Sequence, residues 1–437
     1  MKIKSITVGG FKNLKKTRVS LDGITAIISI NNYGKSNLLE AIDFGCDFIF
    51  QNPRERKTMM RWSRAIPINK KLADNQFFFE IEFENEEDLE YRFVRYGYSF
   101  EWFRDDRTGQ RITDEWIDAR PNESVRYTSF LKRDKGQYRR GKDTQAFRKI
   151  NLTTEQLSID VLSALEDIEI SNIISSIKSF DYHICSSLDL RDRFTSVPIE
   201  YVSQSEDDGI SFDDKDVPRA LYQLMQSFPE KYNLFLEAVY SLFPEFTDVK
   251  VLPYEVRNEI KELTLFTDEN SPDKPDNIPF RIRDELYKVI ITHRYLNQPI
   301  DMAMMSTGTK RVFWLLANVF IASSKNISLI GIEELETSIH PRLLKKLLEI
   351  LDEAIENTAI LISSHSPYLV QYFKPNKIYV GIPSNDGTAL FKKVDFKRAK
   401  ALLLSARDME MTVGEYLFEL LSGDQDSAET LSFYLED

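Results

Sequence analysis

The sequence predicts an α/β protein with a mixed core sheet, flanking helices, an antiparallel β subdomain and a helical insertion. An apolar run at residues 23–30 (GITAIISI) stops at a polar turn, and a helical pattern follows at residues 35–44. Two more apolar runs, residues 327–332 (ISLIGI) and 358–363 (TAILIS), end in charged or polar residues. At residues 153–180 apolar side chains recur every three or four positions, which is the spacing of one helix face. Buried strands that alternate with helices indicate this fold class.

The composition is that of a globular protein larger than one ordinary domain. The chain has 437 residues, of which 42% are hydrophobic and 29% are charged. The longest apolar runs, such as residues 312–321, fall well short of the ~20 residues of a membrane helix, so we expect a cytoplasmic protein without membrane contact. Cys46 and Cys185 are the only cysteines, which argues against a disulfide framework and a zinc hook.

The chain is acidic overall, but its basic residues are clustered. The net charge is −12, from 57 basic and 69 acidic residues, which argues against a protein coated uniformly with nucleic acid. Two segments, 54–71 and 132–149, are nevertheless rich in basic residues. Their members are Arg54, Arg56, Lys57, Arg61, Arg64, Lys70 and Lys71, then Lys132, Arg133, Lys135, Arg139, Arg140, Lys142, Arg148 and Lys149. The clusters suit a phosphate backbone or an acidic partner, but solvated loops and helix faces explain them as well.

The N-terminal part is predicted to contain antiparallel strands. Residues 3–8 and 17–21 form a hairpin around the turn GGFKNLKK. Three further strands are expected in a second sheet that flanks the core. They are residues 77–83 (FFFEIEF), 91–96 and 98–103, with a turn at residues 105–109 (DDRTG).

The remaining chain returns to helices and then to strands. Helices are predicted at residues 218–246, 399–404 and 413–421, and strands at residues 249–254, 263–266 and 287–292. The acidic, proline-containing segment 267–277 is expected to be a loop between strands. The C-terminal helices carry enough apolar side chains to bind a partner, although packing on the parent domain explains the same pattern.

We divide the chain into four ranges on these patterns. Residues 1–150 and 248–395 are predicted to be the two halves of one α/β head. Residues 151–247 are the helical insertion, and residues 396–437 are the C-terminal helices, a possible docking segment.

Residues 29–37 (SINNYGKSN) join the first apolar strand to its helix and are typical of a phosphate-binding loop. A tight turn into a helix leaves unpaired backbone N–H groups at the positive end of the helix dipole, which suits a polyphosphate. Lys35 can neutralise phosphate oxygens, the Ser36 hydroxyl can bind Mg²⁺, and Gly34 lets the backbone approach without a Cβ. The usual pattern begins with glycine, whereas this chain has Ser29.

A second candidate phosphate-binding helix start lies at residues 305–311 (MSTGTKR). Ser306 can cap the helix, and Gly308 lets backbone amides face outward towards an anion. Taken alone, this segment is explained more simply as a capping turn.

Polar residues follow two of the apolar strands. Two acids directly after residues 327–332 are costly unless Mg²⁺ or a water molecule needs them. Glu333 can hold the hydration shell of Mg²⁺, and Glu334 can orient or deprotonate the attacking water. His365 follows the strand at residues 358–363, where it can reach a γ-phosphate.

The order SINNYGKSN, MSTG, IGIEE and SHSP, with IHP at residues 339–341, resembles the ABC-type ATPases of the RecF, SMC and OLD group over nearly the whole chain. The resemblance implies an ABC ATPase head that uses ATP and Mg²⁺. It assigns the Walker A contacts to Asn32, Gly34, Lys35, Ser36 and Asn37, the Walker B pair to Glu333 and Glu334, the signature motif to Ser306 and Gly308, and the switch histidine to His365. In this group the signature motif serves the nucleotide of a second subunit, so a head-to-tail homodimer or a higher oligomer is implied.

Three positions depart from the pattern of the group. Ser29 replaces a glycine, Glu333 stands where aspartate is usual, and Met305 stands where leucine is usual. A longer acid must be accommodated by a shift of Mg²⁺ or its water, so we expect slow hydrolysis. Gln76 is a candidate for the glutamine that couples the nucleotide to the second lobe in the group.

The likeness extends to the ATPase subunits of two-component antiphage systems, such as the PARIS ATPase AriA and the Septu ATPase. It implies a sensor that controls a separate nuclease and responds to DNA or to an acidic, DNA-mimicking phage protein. The alternative is a RecF-like ATPase that binds duplex DNA in repair or recombination through the same basic clusters. A third hypothesis, a nuclease in its own right, depends on Asp424 and Asp426, which follow a helix and not the apolar strand that such a metal site needs.

Overall fold

The computed structural model describes residues 2–86, 88, 90–104, 106–133, 137–138, 148–163, 170–185, 193–196, 199–201, 216–255, 280–282, 285–382, 384 and 386–436. The predicted strand at 263–266, the loop at 267–277 and four basic residues (Lys135, Arg139, Arg140 and Lys142) lie outside these residues. Within the described ranges, no helix combines the length and the apolar character needed to cross a membrane.

The described residues form nineteen strands and twelve α-helices. The strands are β1 (Lys2–Gly9), β2 (Thr17–Ser20), β3 (Ile24–Ile28), β4 (Phe77–Glu84), β5 (Phe93–Glu101), β6 (Arg111–Arg120), β7 (Thr128–Lys132), β8 (Gln137–Tyr138), β9 (Arg148–Lys149), β10 (Tyr182–Cys185), β11 (Ile199–Tyr201), β12 (Phe246–Glu255), β13 (Phe280–Ile282), β14 (Glu285–His293), β15 (Ile300–Asp301), β16 (Leu329–Glu333), β17 (Ala359–Ser364), β18 (Ile378–Gly381) and β19 (Phe391–Lys393). The helices are α1 (Lys35–Phe50), α2 (Pro53–Met59), α3 (Ser158–Leu162), α4 (Ser171–Ile177), α5 (Val217–Ser227), α6 (Pro229–Leu242), α7 (Thr307–Lys325), α8 (Pro341–Ala354), α9 (Pro367–Val370), α10 (Ala399–Asp408), α11 (Val413–Ser422) and α12 (Gln425–Tyr434).

The chain divides into two compact units, and both are discontinuous in sequence. The first unit comprises Met1–Ser186, Asn326–Glu336 and Glu356–Asp437. The second unit comprises Ser187–Lys325 and Thr337–Ile355.

A six-stranded sheet forms the centre of the first unit, in the order β10-β16-β17-β3-β18-β19. Its first five strands are parallel and β19 is antiparallel. All residues of β3 and β17 are buried, as their continuous apolar sequences predict. Because β3, β16 and β17 are adjacent and parallel, the segments after their carboxyl ends meet at one edge of the sheet, where open α/β sheets bind ligands.

An eight-stranded sheet completes the strands of this unit, in the order β2-β1-β4-β5-β6-β7-β8-β9. The predicted N-terminal hairpin is confirmed, but it belongs to the same sheet as the later strands, because β1 pairs with β4. The prediction of two strands at residues 91–96 and 98–103 is wrong. One strand, β5, runs through both ranges, and Gly97 pairs with Glu80 and Trp116 without a break at that position.

Helix α1 contacts both sheets, through β1 on one side and through β10 and β16 on the other. The contact with the eight-stranded sheet is aromatic. The ring of Phe48 stacks on Tyr98 at 5.0 Å and on Phe100 at 4.9 Å between centroids. Cys46, on the same helix, is buried, and so is Cys185. The helix that begins at Lys35 is therefore fixed between two layers.

Arg56 corrects the prediction for the first basic cluster. Its side chain is fully buried, and it donates from Nε to the carbonyl oxygen of Phe48 (2.8 Å) and from Nη2 to that of Ile49 (2.9 Å). It also pairs with Asp160. Arg56 cannot bind a phosphate backbone, because its donors are used inside the fold.

Arg133 corrects the prediction for the second cluster in the same way. Its side chain is 9% exposed, donates to the carbonyl oxygen of Thr153 (2.9 Å) and lies 3.7 Å from a carboxylate oxygen of Glu115. The other described members of the two clusters are exposed, so the basic surface is smaller than predicted by these two residues. The exposed members are Arg54, Lys57, Arg61, Arg64, Lys70, Lys71, Lys132, Arg148 and Lys149.

Three C-terminal helices, α10 to α12, pack on the first unit. Leu402, Leu417 and Leu431 are buried in one apolar cluster with Ile28 of β3, so packing on the parent domain is confirmed. Asp424 caps α12, because its carboxylate accepts from the N–H (3.1 Å) and the Oγ–H (3.2 Å) of Ser427. That bonding lowers the pKa of Asp424 and gives the residue a structural role.

In the second unit, α7 packs against α5, α6 and α8. All of its residues from Lys310 to Ser323 are buried, as the apolar run at residues 312–321 predicts. The predicted strands at 249–254 and 287–292 are confirmed as β12 and β14, which pair antiparallel.

Candidate functional site

The loop between β3 and α1 leaves the N-terminus of α1 without a side-chain cap. Gly34 has φ 122° and Asn32 has φ 59°. A Cβ on Gly34 would lie 2.9 Å from the Cβ of Ala389 and 3.2 Å from Oδ1 of Asn13, so both the backbone and the space require glycine. Since the first-turn N–H groups of a helix have no intrahelical partners, this end of α1 is available to an anion.

A cleft of about 730 Å³ opens over this loop. It is lined by residues 31–37 together with Glu334 and His365. The five predicted Walker A residues and two predicted catalytic residues therefore meet in one place, although they come from three distant segments of the sequence.

Lys35 is only 9% exposed, and its Nζ donates to the carbonyl oxygens of Ser29 (2.9 Å) and Ile30 (3.2 Å). Burial lowers the pKa of the Lys35 ammonium, while the charges of Glu334 and Glu336 raise it. The cation is thus largely removed from water and bonded to neutral carbonyls. Phosphate oxygens would replace these acceptors with charged ones, which form stronger hydrogen bonds.

Ser36 and Glu333 supply the oxygen atoms predicted for Mg²⁺. Burial raises the pKa of the Glu333 carboxyl, whereas a hydrogen bond with Ser36 lowers it. The hydroxyl and the carboxyl are thus next to each other at the start of α1 and the end of β16. Mg²⁺ in nucleotide sites is held by one or two such protein oxygens together with phosphates, so the residues present fit this ion.

Glu334 and His365 follow the ends of β16 and β17, with Nδ1 of His365 3.5 Å from Oε1 of Glu334. Glu334 has φ 44°, which is unusual for a residue with a Cβ and is common at active sites. Its N–H donates to Oγ of Ser363 (3.3 Å). The side chains of Glu334 and His365 are 35% and 43% exposed, so a carboxylate and an imidazole are both accessible from the cleft.

Asn13 supports the loop and was not predicted from the sequence. Its Oδ1 accepts from Nδ2 of Asn37 (2.8 Å), and its own Nδ2 donates to the carbonyl oxygen of Tyr33 (3.4 Å). The predicted nucleotide contact Asn37 is therefore held by a side chain from the turn between β1 and β2. The motif GGFKNLKK contains this residue, but a hairpin turn explains its polarity, so no sequence signal separated it.

Glu336 was also missed. Its Oε1 accepts from Oγ of Ser364 (2.9 Å) and from the N–H of His365 (3.0 Å). The available signal was a third acid within four residues of the strand end, in IEELE.

Ser306 and Gly308 lie in the second unit, at the N-terminus of α7. Oγ of Ser306 accepts from the N–H of Thr309 (3.2 Å), which confirms the predicted cap. A Cβ on Gly308 would lie 2.4 Å from the carbonyl oxygen of Ser338, so another chain segment approaches the helix closely at this point. Ser306 itself is exposed.

Gln76, the candidate coupling glutamine, lies just before β4 in the eight-stranded sheet. Its Oε1 accepts from Oγ1 of Thr113 (2.9 Å), and the residue does not line the cleft over residues 29–37. A coupling role for Gln76 therefore has no support in the geometry.

Comparison with solved structures identifies the fold. The chain resembles an SMC head bound to the C-terminal winged-helix domain of ScpA, with a TM-score of 0.51 at 13% identity, over 92% of this chain and 100% of that one. An SMC head domain from Thermotoga maritima (TM-score 0.43, 10% identity, 90% and 100% covered) and an SMC head from Pyrococcus furiosus with an extended coiled coil (TM-score 0.48, 13% identity, 93% and 99% covered) are also similar. The first of these similarities confirms the predicted ABC-type ATPase head fold.

Comparison with known sequences identifies the family. None of the curated proteins is significantly similar to this chain. The family described as "AAA domain, putative AbiEii toxin, Type IV TA system" matches residues 24–371, a range that contains all the predicted site residues. Because this match spans most of the chain, the protein belongs to that AAA-domain family.

Proposed function

We propose that the protein binds ATP over residues 29–37 and hydrolyses it slowly. The observation that carries this proposal is the convergence of Lys35, Ser36, Glu334 and His365 on one cleft at the carboxyl edge of the parallel sheet. Lys35 and the open end of α1 would bind the phosphates, as the chemistry of such loops requires. Glu334 would orient and deprotonate the attacking water, and His365 would contact the γ-phosphate.

Ser36 and Glu333 would hold Mg²⁺, which when bound neutralises charge on the phosphates. Glu333 has one methylene more than the usual aspartate, and burial raises its pKa. Both properties disfavour a tight metal contact and support slow turnover.

The second part of the proposal concerns assembly. Ser306 and Gly308 lie at the start of α7 in the second unit, whereas residues 29–37 belong to the first unit. By its resemblance to ABC-type heads, Ser306 of one copy would contact the nucleotide bound to another copy. The active assembly would then be a head-to-tail homodimer with two composite sites.

Mixing two inactive variants tests this arrangement. Ser306→Asp keeps the helix cap, because aspartate caps as well as serine, but it puts a negative charge beside the expected phosphates. Neither Ser306→Asp nor Lys35→Ala should hydrolyse ATP alone. A mixture should recover about a quarter of wild-type activity, since about half of the dimers are mixed and each contains one complete site.

The matched control is Ser306→Asn, which caps the helix equally well without charge and should retain much more activity than Ser306→Asp. Phosphate release is measured for each variant and for the mixture. A mixture as inactive as its components would contradict the composite site.

For the biological role, we propose an ATP-dependent sensor that controls a separate nuclease in antiphage defence. Two observations support it: the matched family description names a toxin of a toxin–antitoxin system, and the C-terminal helices offer a surface. Leu403, Leu404 and Phe433 on α10 and α12 are 47%, 50% and 57% exposed, although the opposite sides of these helices are buried. These apolar side chains suit a protein partner.

Native mass spectrometry after co-expression with the flanking genes tests this role. A stable complex with a second, nuclease-like protein in the presence of ATP is expected, and Leu403→Glu with Phe433→Glu should weaken it. A bare dimer that binds duplex DNA more tightly with ATP and more weakly at high salt would favour the repair ATPase instead. The side chains of Arg56 and Arg133 are buried, so they cannot contribute to DNA binding, which argues against the repair ATPase.

A further inference from the structure

A second cavity, of about 860 Å³, is lined by α1, α2 and residues 61–63 of the first unit. It shares no lining residue with the cleft over residues 29–37. One wall is aromatic. The ring of Trp62 stacks on Phe44 at 5.9 Å between centroids, yet Trp62 is 49% exposed. A large indole that is held on one face and open to solvent is typical of a binding surface.

The described lining of this cavity is acidic. Its carboxylates are Glu40, Asp43, Asp47 and Glu55, and Arg61 is the basic residue among them. The Arg61 guanidinium is engaged on the far side, because Nη2 donates to Oε1 of Gln110 (2.8 Å) and the group lies 4.5 Å from the ring centroid of Phe103. Two of the acids have local roles, since Glu40 pairs with Lys12 and Glu55 closes the cap of α2. Asp43 and Asp47 therefore give the cavity its excess negative charge.

Asp43 carries a charge that the fold does not compensate. Burial, together with the charges of Asp47 and Glu40, raises the pKa of the Asp43 carboxyl to about 7. Among the described residues, no hydrogen bond or ion pair reaches this carboxylate. Asp47 follows one helical turn later and accepts from the hydroxyl of Tyr182. A cation placed between the two aspartates, which lie about 6 Å apart on one helix face, would relieve their repulsion.

We propose that this cavity is a docking site for a basic segment of a partner protein, with an arginine of that segment bound between Asp43 and Asp47 and against Trp62. A guanidinium can share its donors between two carboxylates and stack on an aromatic ring, whereas an ammonium is a point charge. The inference goes beyond the proposed ATPase function and does not depend on it.

The length of the cavity favours a peptide over a small cation. Its α1 side runs from Glu40 to Gln51, which is eleven positions and thus about 16 Å along the helix. An extended peptide of about five residues covers that distance. The carboxylates recur along this side at each turn, so they can meet successive basic side chains.

Binding of a fluorescein-labelled hexa-arginine peptide to the full chain tests the site without nucleotide. Fluorescence anisotropy is measured at low ionic strength and above the pKa of Asp43. Asp43→Asn keeps the shape but removes the charge, and it should weaken binding about tenfold. This variant should unfold at the wild-type temperature or above it, because the change removes a desolvated and repelled charge.

Asp352→Asn is the matched control, because Asp352 is an exposed aspartate on α8 in the second unit. It should bind the peptide with wild-type affinity. No binding to the wild-type chain, an unchanged affinity in Asp43→Asn, or an equal loss in Asp352→Asn would overturn the docking site. The last result would mean that the acidic chain attracts the peptide only diffusely.

Two substitutions of Trp62 test the aromatic wall. Trp62→Leu retains an apolar contact for Phe44 and should weaken binding about threefold, whereas Trp62→Phe should retain most of the affinity. Equal affinities in these two variants would exclude an arginine against this ring.

Competition by spermine separates a basic protein segment from a diffusible polyamine. At equal concentrations of positive charge, unlabelled hexa-arginine should displace the labelled peptide at least about tenfold better than spermine, because guanidinium groups pair with carboxylates through two donors. Spermine that competes as well as the peptide would overturn the proposal in favour of a polyamine. No measurement uses ATP, so a chain that fails to hydrolyse ATP leaves the result of this test unaffected.

Discussion

Lys35→Ala is expected to abolish nucleotide binding, with a loss of affinity of at least ~100-fold. Lys35 is a buried cation in the cleft, and its Nζ donates to neutral groups, the carbonyl oxygens of Ser29 and Ile30 and the hydroxyl of Ser29. A triphosphate would offer it charged acceptors in a site that excludes much of the water. Removing the ammonium would leave the phosphate charge beside Glu334 without the lysine that balances it. Titration with a fluorescent ATP analogue measures the effect.

Lys4→Ala is the matched control for loss of one positive charge. Lys4 lies on β1, where its Nζ is 3.0 Å from a carboxylate oxygen of Glu84 on the neighbouring strand. We expect wild-type affinity, because a partly exposed ion pair on the sheet contributes little. Thermal unfolding of both variants separates loss of binding from loss of the fold. Wild-type affinity in Lys35→Ala would exclude residues 29–37 as the nucleotide site.

Glu334→Gln is expected to retain ATP and to lower kcat by at least ~100-fold. The amide has the same shape as the carboxylate and can still orient a water molecule, but it cannot accept the proton. Since the proposed phosphate contacts of Lys35 and α1 would remain, ATP should accumulate unhydrolysed and hold two copies together. Phosphate release and the molar mass by light scattering, each with and without ATP, measure the two effects.

Glu349→Gln is the matched control for this change. Glu349 is exposed on α8, where it pairs with Lys345 one helical turn away. It should hydrolyse ATP at the wild-type rate and show no additional dimer. If Glu334→Gln also hydrolysed ATP at the wild-type rate, the assignment of the catalytic acid would be wrong.

Local sequence patterns predicted the strands of the central sheet well, and those of the flanking sheet less well. β3, β16 and β17 are buried on both faces, so their sequences are continuously apolar and stand out. β6 was missed because charged residues interrupt its sequence (RITDEWIDAR), and one of them, Glu115, occupies a buried position. In β5, Gly97 resembled a break, whereas the ladders on both sides continue through it.

Some residues of the candidate site could also be predicted from local sequence patterns, and others could not. Short sequence motifs predicted the positions of Lys35, Ser36 and Glu334 in the candidate site. Asn13 and Glu336 act through contacts with residues 24 and 28 positions away, and a single sequence does not reveal such pairs. The basic cluster at residues 54–71 was overestimated for the same reason. Arg56 is buried and pairs with Asp160, which is 104 positions away in the sequence.

The interleaving of the two units limits how the protein can be divided. The segment Asn326–Glu336 carries β16 and the acids Glu333, Glu334 and Glu336, and the chain belongs to the second unit immediately before and after it. Deleting the second unit would therefore release β16 as a separate peptide and would open the central sheet between β10 and β17. The second unit is not a removable module, and truncation studies must replace it with linkers on both sides of this strand.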